Sequence, residues 1–194
     1  MLKKEVRILG LSATPGKKKQ TLVIGVVFRG NLWLDGILTG LLKLNKHDHV
    51  SGISRAIMQS KQYSQLRAVI LSREQLIPGE KIRMTDLARR IKVPVICIIR
   101  EPRGRATKTQ GRGPSNANRY DLVVNGQRVP VLAVGLSHEG TQDIFSVACT
   151  PKWKIPEAVR VADLIAKQVP SRVLLQGERA RTSRGLKLEA SRKS

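Results

Sequence analysis

The segment "LGLSATPGKKKQ", residues 9–20, ends an apolar run in a turn that carries Ser12, Ala13 and Thr14, with Lys17, Lys18 and Lys19 close behind. Hydroxyls, backbone N–H groups and ammonium groups form a donor set that suits a phosphate. A strand end that handles a divalent metal needs carboxylates, and this turn has none. A nucleoside-triphosphate loop reads Gly, four residues, then Gly-Lys-Ser/Thr. Here five residues separate Gly10 from Gly16, and Lys17 is followed by Lys18. The register is wrong and no hydroxyl is placed for magnesium, so a nucleoside triphosphatase is excluded.

A second hydroxyl, Ser72, ends the apolar run "RAVILS". Open α/β sheets gather ligands at the carboxyl ends of strands where the strand order reverses. If the two runs are neighbouring strands, Ser12 and Ser72 come side by side, and Arg29, Arg73 and Arg100 approach from nearby strand ends. The acids within reach are few: Asp35 in "WLDG", Glu74, Asp86 and Asp48. A capping or turn role accounts for Asp48 and Asp86, and Glu74, next to Arg73, reads as paired in solvent. Cys97 lies in the apolar "VPVICIIR" and reads as a core thiol. Cys149, His47, His49 and His138 have no zinc-ligand spacing to it or to one another.

The elements that position these groups follow from pattern. "EVRILGL", "TLVIGVVFR" and "LWLDGILTGLL" are Val/Ile/Leu-rich strands punctuated by turn residues, with a tight turn at Gly30-Asn31. Val50, Ile53, Ile57 and Met58 fall at helical spacing, "RAVILS" is a short strand, and "RMTDLARRIK" predicts a helix with Thr85 as its N-cap. "VPVICIIR" is the next strand. The order β-β-β-α-β-α-β predicts an α/β fold with a mixed sheet: three antiparallel strands, then parallel crossovers. "YDLVVNGQRVPVLAVGLS" predicts a hairpin about Asn125-Gly126, and "HEGTQDIFSVAC" and "IPEAVRVADLIAKQV" predict two closing helices.

The 194 residues suffice for one packed domain, read as 1–170, with a basic tail over 171–194. The 36 Lys+Arg against 14 Asp+Glu give a formal charge of +22, which points to a polyanionic partner, nucleic acid ahead of a membrane surface. Residues 101–119 form a long Gly/Arg/Asn-rich basic loop with Arg103, Arg105, Lys108 and Arg112. Aromatic residues make up only 3%, so phosphate contacts from Lys17–Lys19, Arg73, Arg100, the loop and the tail, rather than base stacking, carry the expected binding to DNA or RNA. Trp33 and Phe28 read as core, and Tyr120 and Trp153 as surface residues. Lys3, Lys4, Glu5 and Arg7 interrupt the N-terminal apolar stretch, so no signal peptide is expected. With no run long enough to span a bilayer, the expected location is the cytoplasm.

The segments "RILGLSATPG", "LVIGVVFRGNLWLDGIL" and "IPEAVRVADLIA", and more loosely "RAVILS" and "VPVICII", resemble the archaeal endonuclease dU-like family, relatives of endonuclease V with a ribonuclease-H-like fold. The resemblance spans most of residues 4–168 and implies a mixed sheet with helices on both faces. It also implies a magnesium-dependent nuclease, in which an acidic turn at the first strand faces an Asp on its parallel neighbour. Divalent-metal hydrolysis of a phosphodiester needs such hard anionic ligands. In this chain Ser12 and Ala13 stand in the first turn and Ser72 in the second. The family's catalytic role therefore does not carry over to them, and no cofactor is expected unless hydrolysis survives with Mg2+. The resemblance places Asp35 in or beside the same cleft, where a structural role in the Asp-Gly segment and a residual catalytic role both stay open. Three readings result: a catalytically impaired nucleic-acid-binding protein on a nuclease-like scaffold; a metal-dependent endonuclease acting near deoxyuridine or other deaminated bases, with a rearranged site using Asp35 and Glu74; and a structural RNA-binding protein.

Overall fold

Strand β1 (Arg7–Ala13) is apolar at nearly every position and buried on both faces, the pattern of a strand in the middle of a covered sheet. The computed structural model, which describes residues 5–14, 20–43, 49–76, 81–99 and 117–169, places it there. Strands β2 (Gln20–Arg29) and β3 (Trp33–Lys43) continue from it as an antiparallel meander. The β2–β3 turn opens at Gly30, where φ is 60°, a conformation that costs glycine nothing. On the other side of β1 lie β4 (Leu66–Leu71) and β5 (Val95–Ile98), both parallel to their neighbour. The hairpin β6 (Asn118–Val124) and β7 (Gln127–Val134) closes the sheet through an antiparallel β5–β7 pairing. The order is β3-β2-β1-β4-β5-β7-β6, and the mixed α/β sheet expected from the element order is present. Both residues of the hairpin turn, Asn125 and Gly126, have positive φ, as a tight Asn-Gly turn requires.

Helices cover both faces. Helices α1 (His49–Met58) and α2 (Met84–Ile91) pack Ile53, Ile57, Leu87 and Ile91 against Leu9, Leu11, Val69 and Leu71. On the opposite face α3 (His138–Ala148) packs Ile144 and Phe145 against Ile8, Ile70, Ile96 and Val131. Helix α4 (Glu157–Gln168) lies over β1 and β2, with Ala158, Ala162 and Ala166 at i, i+4, i+8 against Ile24, Val26 and Phe28. Those small residues let the helix approach closely. At the point of closest approach β1 has Gly10, where a Cβ atom would lie 2.3 Å from the Ala158 carbonyl carbon.

Four expectations are corrected. Helix α2 begins at Met84 with Arg83 as its N-cap, so Thr85 is a first-turn residue rather than the cap, and no side chain bonds the cap N–H groups. Asp86 occupies that first turn and pairs with both Arg83 and Arg89. Trp33 is 68% exposed, because β3 is an edge strand and no helix covers that stretch, while Phe28 is buried as expected. Tyr120, read as a surface residue, is half-buried: it packs on the α3 core and donates its hydroxyl proton to the Leu136 carbonyl. The basic stretch expected to be loop through residue 119 is already strand from Asn118. Lys17–Lys19, Asp48, Arg100, residues 101–116 and 170–194 lie outside the described residues. No helix among the described residues is long and apolar enough to cross a membrane.

Candidate functional site

The parallel register pairs Leu11 with Leu71, which brings the next residue of each strand, Ser12 and Ser72, level at the carboxyl ends of β1 and β4. The Ser72 N–H donates to the Leu11 carbonyl at 2.9 Å and fixes this alignment. Leu9, Leu11 and Ala13 point into the α1–α2 core. Strand alternation therefore sends Ser12 to the α4 side, and there its hydroxyl donates to the carboxylate of Asp163. Ser72 donates in turn to Ser12, Oγ to Oγ at 3.4 Å. Both serines are buried, and Asp163 is half-buried. Arg73 turns back over the strand end, its Nη2 donating to the Ala13 carbonyl at 3.2 Å, while its Nε is buried without a partner among the described groups.

Asp163 was absent from the sequence-derived site. A signal for it exists: it stands four residues after Val159, which is wholly buried, and next to Ala162, so it shares the helix face that meets the sheet. A carboxylate on such a face is unusual.

The resemblance implied that Asp35 lies in or beside this crevice; the structure places it elsewhere. Arg7 and Arg29 clasp its carboxylate, Arg29 Nη2 at 2.9 Å. Arg7 begins β1 and sits five residues from Ser12, about 16 Å along the strand. Arg7 shares the strand parity of Leu9 and Leu11, which face the α1–α2 core, so the clasp also lies on the other face from Asp163. Hydrogen bonds from Arg29 and then Arg7 hold the Asp35 carboxyl below the usual carboxylate range. Its Gly36 neighbour packs under Gln62, whose Nε2 donates to the Asp35 carbonyl. Asp35 is thus a clamp between strand ends. Glu74, two residues past Ser72, is paired with Lys81 at 2.8 Å.

The donor set can be tested against magnesium. The Ser12 hydroxyl donates to Asp163 and the Ser72 hydroxyl to Ser12, so the set presents one carboxyl group and hydroxyl lone pairs. Magnesium is held by one or two carboxylates together with substrate phosphate oxygens and waters. No group of three His, Cys, Asp or Glu side chains able to hold a metal ion occurs among the described residues. These residues supply one carboxylate, the lower limit for a magnesium centre.

Beside Ser72 opens a cleft of about 280 Å³, walled by Ile98, Val129, Pro130 and Ile155 and edged by Arg128 and Lys154. Arg128 is paired with Asp121 at 2.7 Å. On the same segment Trp153 is about half exposed, as expected, with the Arg160 guanidinium 5.9 Å from its ring centre.

The profile of the family described as endonuclease dU matches residues 4–170. The chain belongs to this family. Among curated relatives of this chain, a UPF0215 protein of Methanothermobacter thermautotrophicus is 27% identical, over 87% of this chain and 89% of the relative. A second, from Methanosarcina barkeri, is 28% identical over 85% and 91%. Among solved structures, a protein of unknown function from Archaeoglobus fulgidus is similar at a TM-score of 0.66 and 19% identity, covering 83% of this chain and 96% of that one. Human endonuclease V is similar at 0.56 and 14%, covering 83% and 82%. An endonuclease V of Ciona intestinalis, solved with DNA containing an inosine, is similar at 0.56 and 13%, covering 89% and 86%. At these identities the likeness establishes the fold, that of endonuclease V and ribonuclease H, and with the family it makes this a nuclease-like scaffold.

Proposed function

We propose that this endonuclease dU family member binds nucleic acid through phosphate contacts and is impaired in hydrolysis. The observation that carries the proposal is the chain Ser72–Ser12–Asp163, hydroxyls at the two strand ends with a single carboxylate behind them. The +22 charge supplies the attraction for a polyanion, and the DNA in the Ciona endonuclease V structure makes DNA the first ligand to try. Lys17–Lys19, Arg73, Arg100, Arg103, Arg105, Lys108 and Arg112 are the proposed phosphate contacts; of these only Arg73 lies within the described residues. The proposed role is recognition within DNA repair, in the cytoplasm.

The second reading, a metal-dependent endonuclease acting near deoxyuridine or another deaminated base, draws support from Asp163, a carboxylate at the crevice, and from the family's description. Asp35 does not serve it, since Arg7 and Arg29 clasp it near the start of β1, and Glu74, two residues past Ser72, is paired with Lys81. The discriminating experiment incubates the protein with deoxyuridine-containing and undamaged duplexes, with Mg2+ or Mn2+, and reads binding by gel shift and cleavage on a denaturing gel. Salt-sensitive shifts with intact strands support the binding reading. Nicks near deoxyuridine that vanish in Asp163→Asn establish the endonuclease in its place.

A further inference from the structure

Besides Arg73, Arg128 and Lys154 at the crevice, a second group of cations lies on the other face of the sheet. On the α3–α4 side, from residue 136 to 169, Lys152, Lys154, Arg160 and Lys167 are matched one for one by Glu139, Asp143, Glu157 and Asp163. On the α1–α2 side, Arg55, Lys61, Arg83, Arg89, Arg90 and Lys92 are all exposed, and Asp86 is the acid among them. These six lie on adjoining elements. Ser51 and Arg55 share one face of α1 by i, i+4 spacing, and Arg90 reaches across from α2 to donate to Ser51 at 3.1 Å. The Tyr63 hydroxyl donates to the Ile91 carbonyl at 2.8 Å, which brings the segment containing Lys61 against the end of α2 where Lys92 sits.

We infer that the outer face of the α1–α2 layer is a docking surface for a nucleic-acid backbone, on the opposite side of the sheet from the Ser12–Ser72–Asp163 crevice. The inference rests on the nucleic-acid reading and adds where the strand is held. Complementing helix dipoles accounts for a cation or two in the last turn of each helix. It does not account for Lys61, three residues past the end of α1, and Arg83 and Arg89 share the single carboxylate of Asp86. Like charges gathered this way repel and destabilise the compact state, and a polyanion is the partner that relieves them. The dimensions agree. The eight residues of α2 extend about 12 Å, against about 3.4 Å of axis per phosphate along one strand, so the row matches three to four phosphates.

The test measures binding of the full chain to a fluorescent DNA duplex from 50 to 200 mM salt. It compares wild type with Arg55→Gln/Arg89→Gln/Arg90→Gln and with Lys152→Gln/Lys154→Gln, folding being checked by thermal melting. Each phosphate contact contributes about 0.9 to the slope of log affinity against log salt. The triple variant should therefore lose about 2.7 of that slope, and its affinity should fall about 40-fold less than wild type's over this range. A triple variant with wild-type slope, beside a flattened slope for the Lys152/Lys154 variant, overturns the inference while the nucleic-acid reading stands. A folded wild type with no salt-dependent binding overturns both.

Discussion

Gly10→Ala tests how closely α4 must lie on β1 for the crevice to exist. A Cβ at this position meets the Ala158 carbonyl carbon at 2.3 Å, the Val159 nitrogen at 2.4 Å and the Ala158 oxygen at 2.5 Å. All three are backbone atoms of a helix, so no rotamer change clears them. Restoring an ordinary contact of 3.4 Å needs α4 to lift by about 1 Å, which loosens Ala162 and Ala166 from β2 and draws Asp163 away from Ser12. Overpacking a core costs typically about 1–3 kcal/mol, and with a whole helix displaced the upper end applies, about 3 kcal/mol. For a chain of this size each kcal/mol shifts Tm by about 2–4 °C, giving a drop of about 6–12 °C. Gly40→Ala in β3 is the matched control: its Cβ would meet only the Ala56 Cβ at 3.4 Å, and its Tm should stay within about 2 °C of wild type. Scanning calorimetry or thermal melting by circular dichroism reads both. A Gly10→Ala protein as stable as the Gly40→Ala control would refute the tight seating of α4.

Asp35→Asn should lower Tm at pH 7 by leaving Arg7 and Arg29 without their carboxylate. Because those arginines depress the folded pKa of Asp35, its contribution is present above the unfolded value of about 4 and fades as pH falls through the folded value. The Tm gap to wild type should accordingly close on acidification, and a gap independent of pH would contradict the clamp. Burial pushes the Cys149 thiol up to about 12 and the Cys97 thiol upward as well. A thiol-reactive chromophore at pH 8 should therefore titrate no thiol in the native protein and two after denaturation. Phe145→Ala, at a side chain with no exposed surface, should cost about 3–5 kcal/mol in denaturant unfolding without moving the crevice.

The sheet was legible in the sequence because its signals are local. Apolar runs of strand length, the Asn125-Gly126 turn, and helical spacing at Val50, Ile53 and Ile57 each need only a few neighbouring residues to be read. Placing Ser12 beside Ser72 needed one further rule, that ligands gather where strand order reverses, and the observed β1–β4 pairing agrees with it. What was not legible depended on strand position and face. Trp33 looked like core because its strand is apolar, and only the strand's place at the sheet edge exposes it. Asp35 looked like a cleft residue, yet a register shift between Val27 and Phe28 and the strand parity of Arg7 put it at the other end and on the other face. Asp163 was passed over inside an Ala/Val-rich helix, 151 residues from the serine it touches. The cationic crevice expected from the +22 charge rests on Lys17–Lys19, Arg100 and the 101–116 stretch, which lie outside the described residues, and on Arg73, which reaches the end of β1.

The proposed binding role requires that the hydroxyl pair and single carboxylate at the ends of β1 and β4 hold no catalytic metal ion. Calorimetric titration of Mn2+ into wild type and Asp163→Asn, each followed by a nicking assay on a deoxyuridine-containing duplex, tests it most directly. No saturable uptake of Mn2+ that depends on Asp163 is expected, and the strands should stay uncut with both proteins. Stoichiometric Mn2+ binding that disappears together with strand cleavage in Asp163→Asn would contradict it.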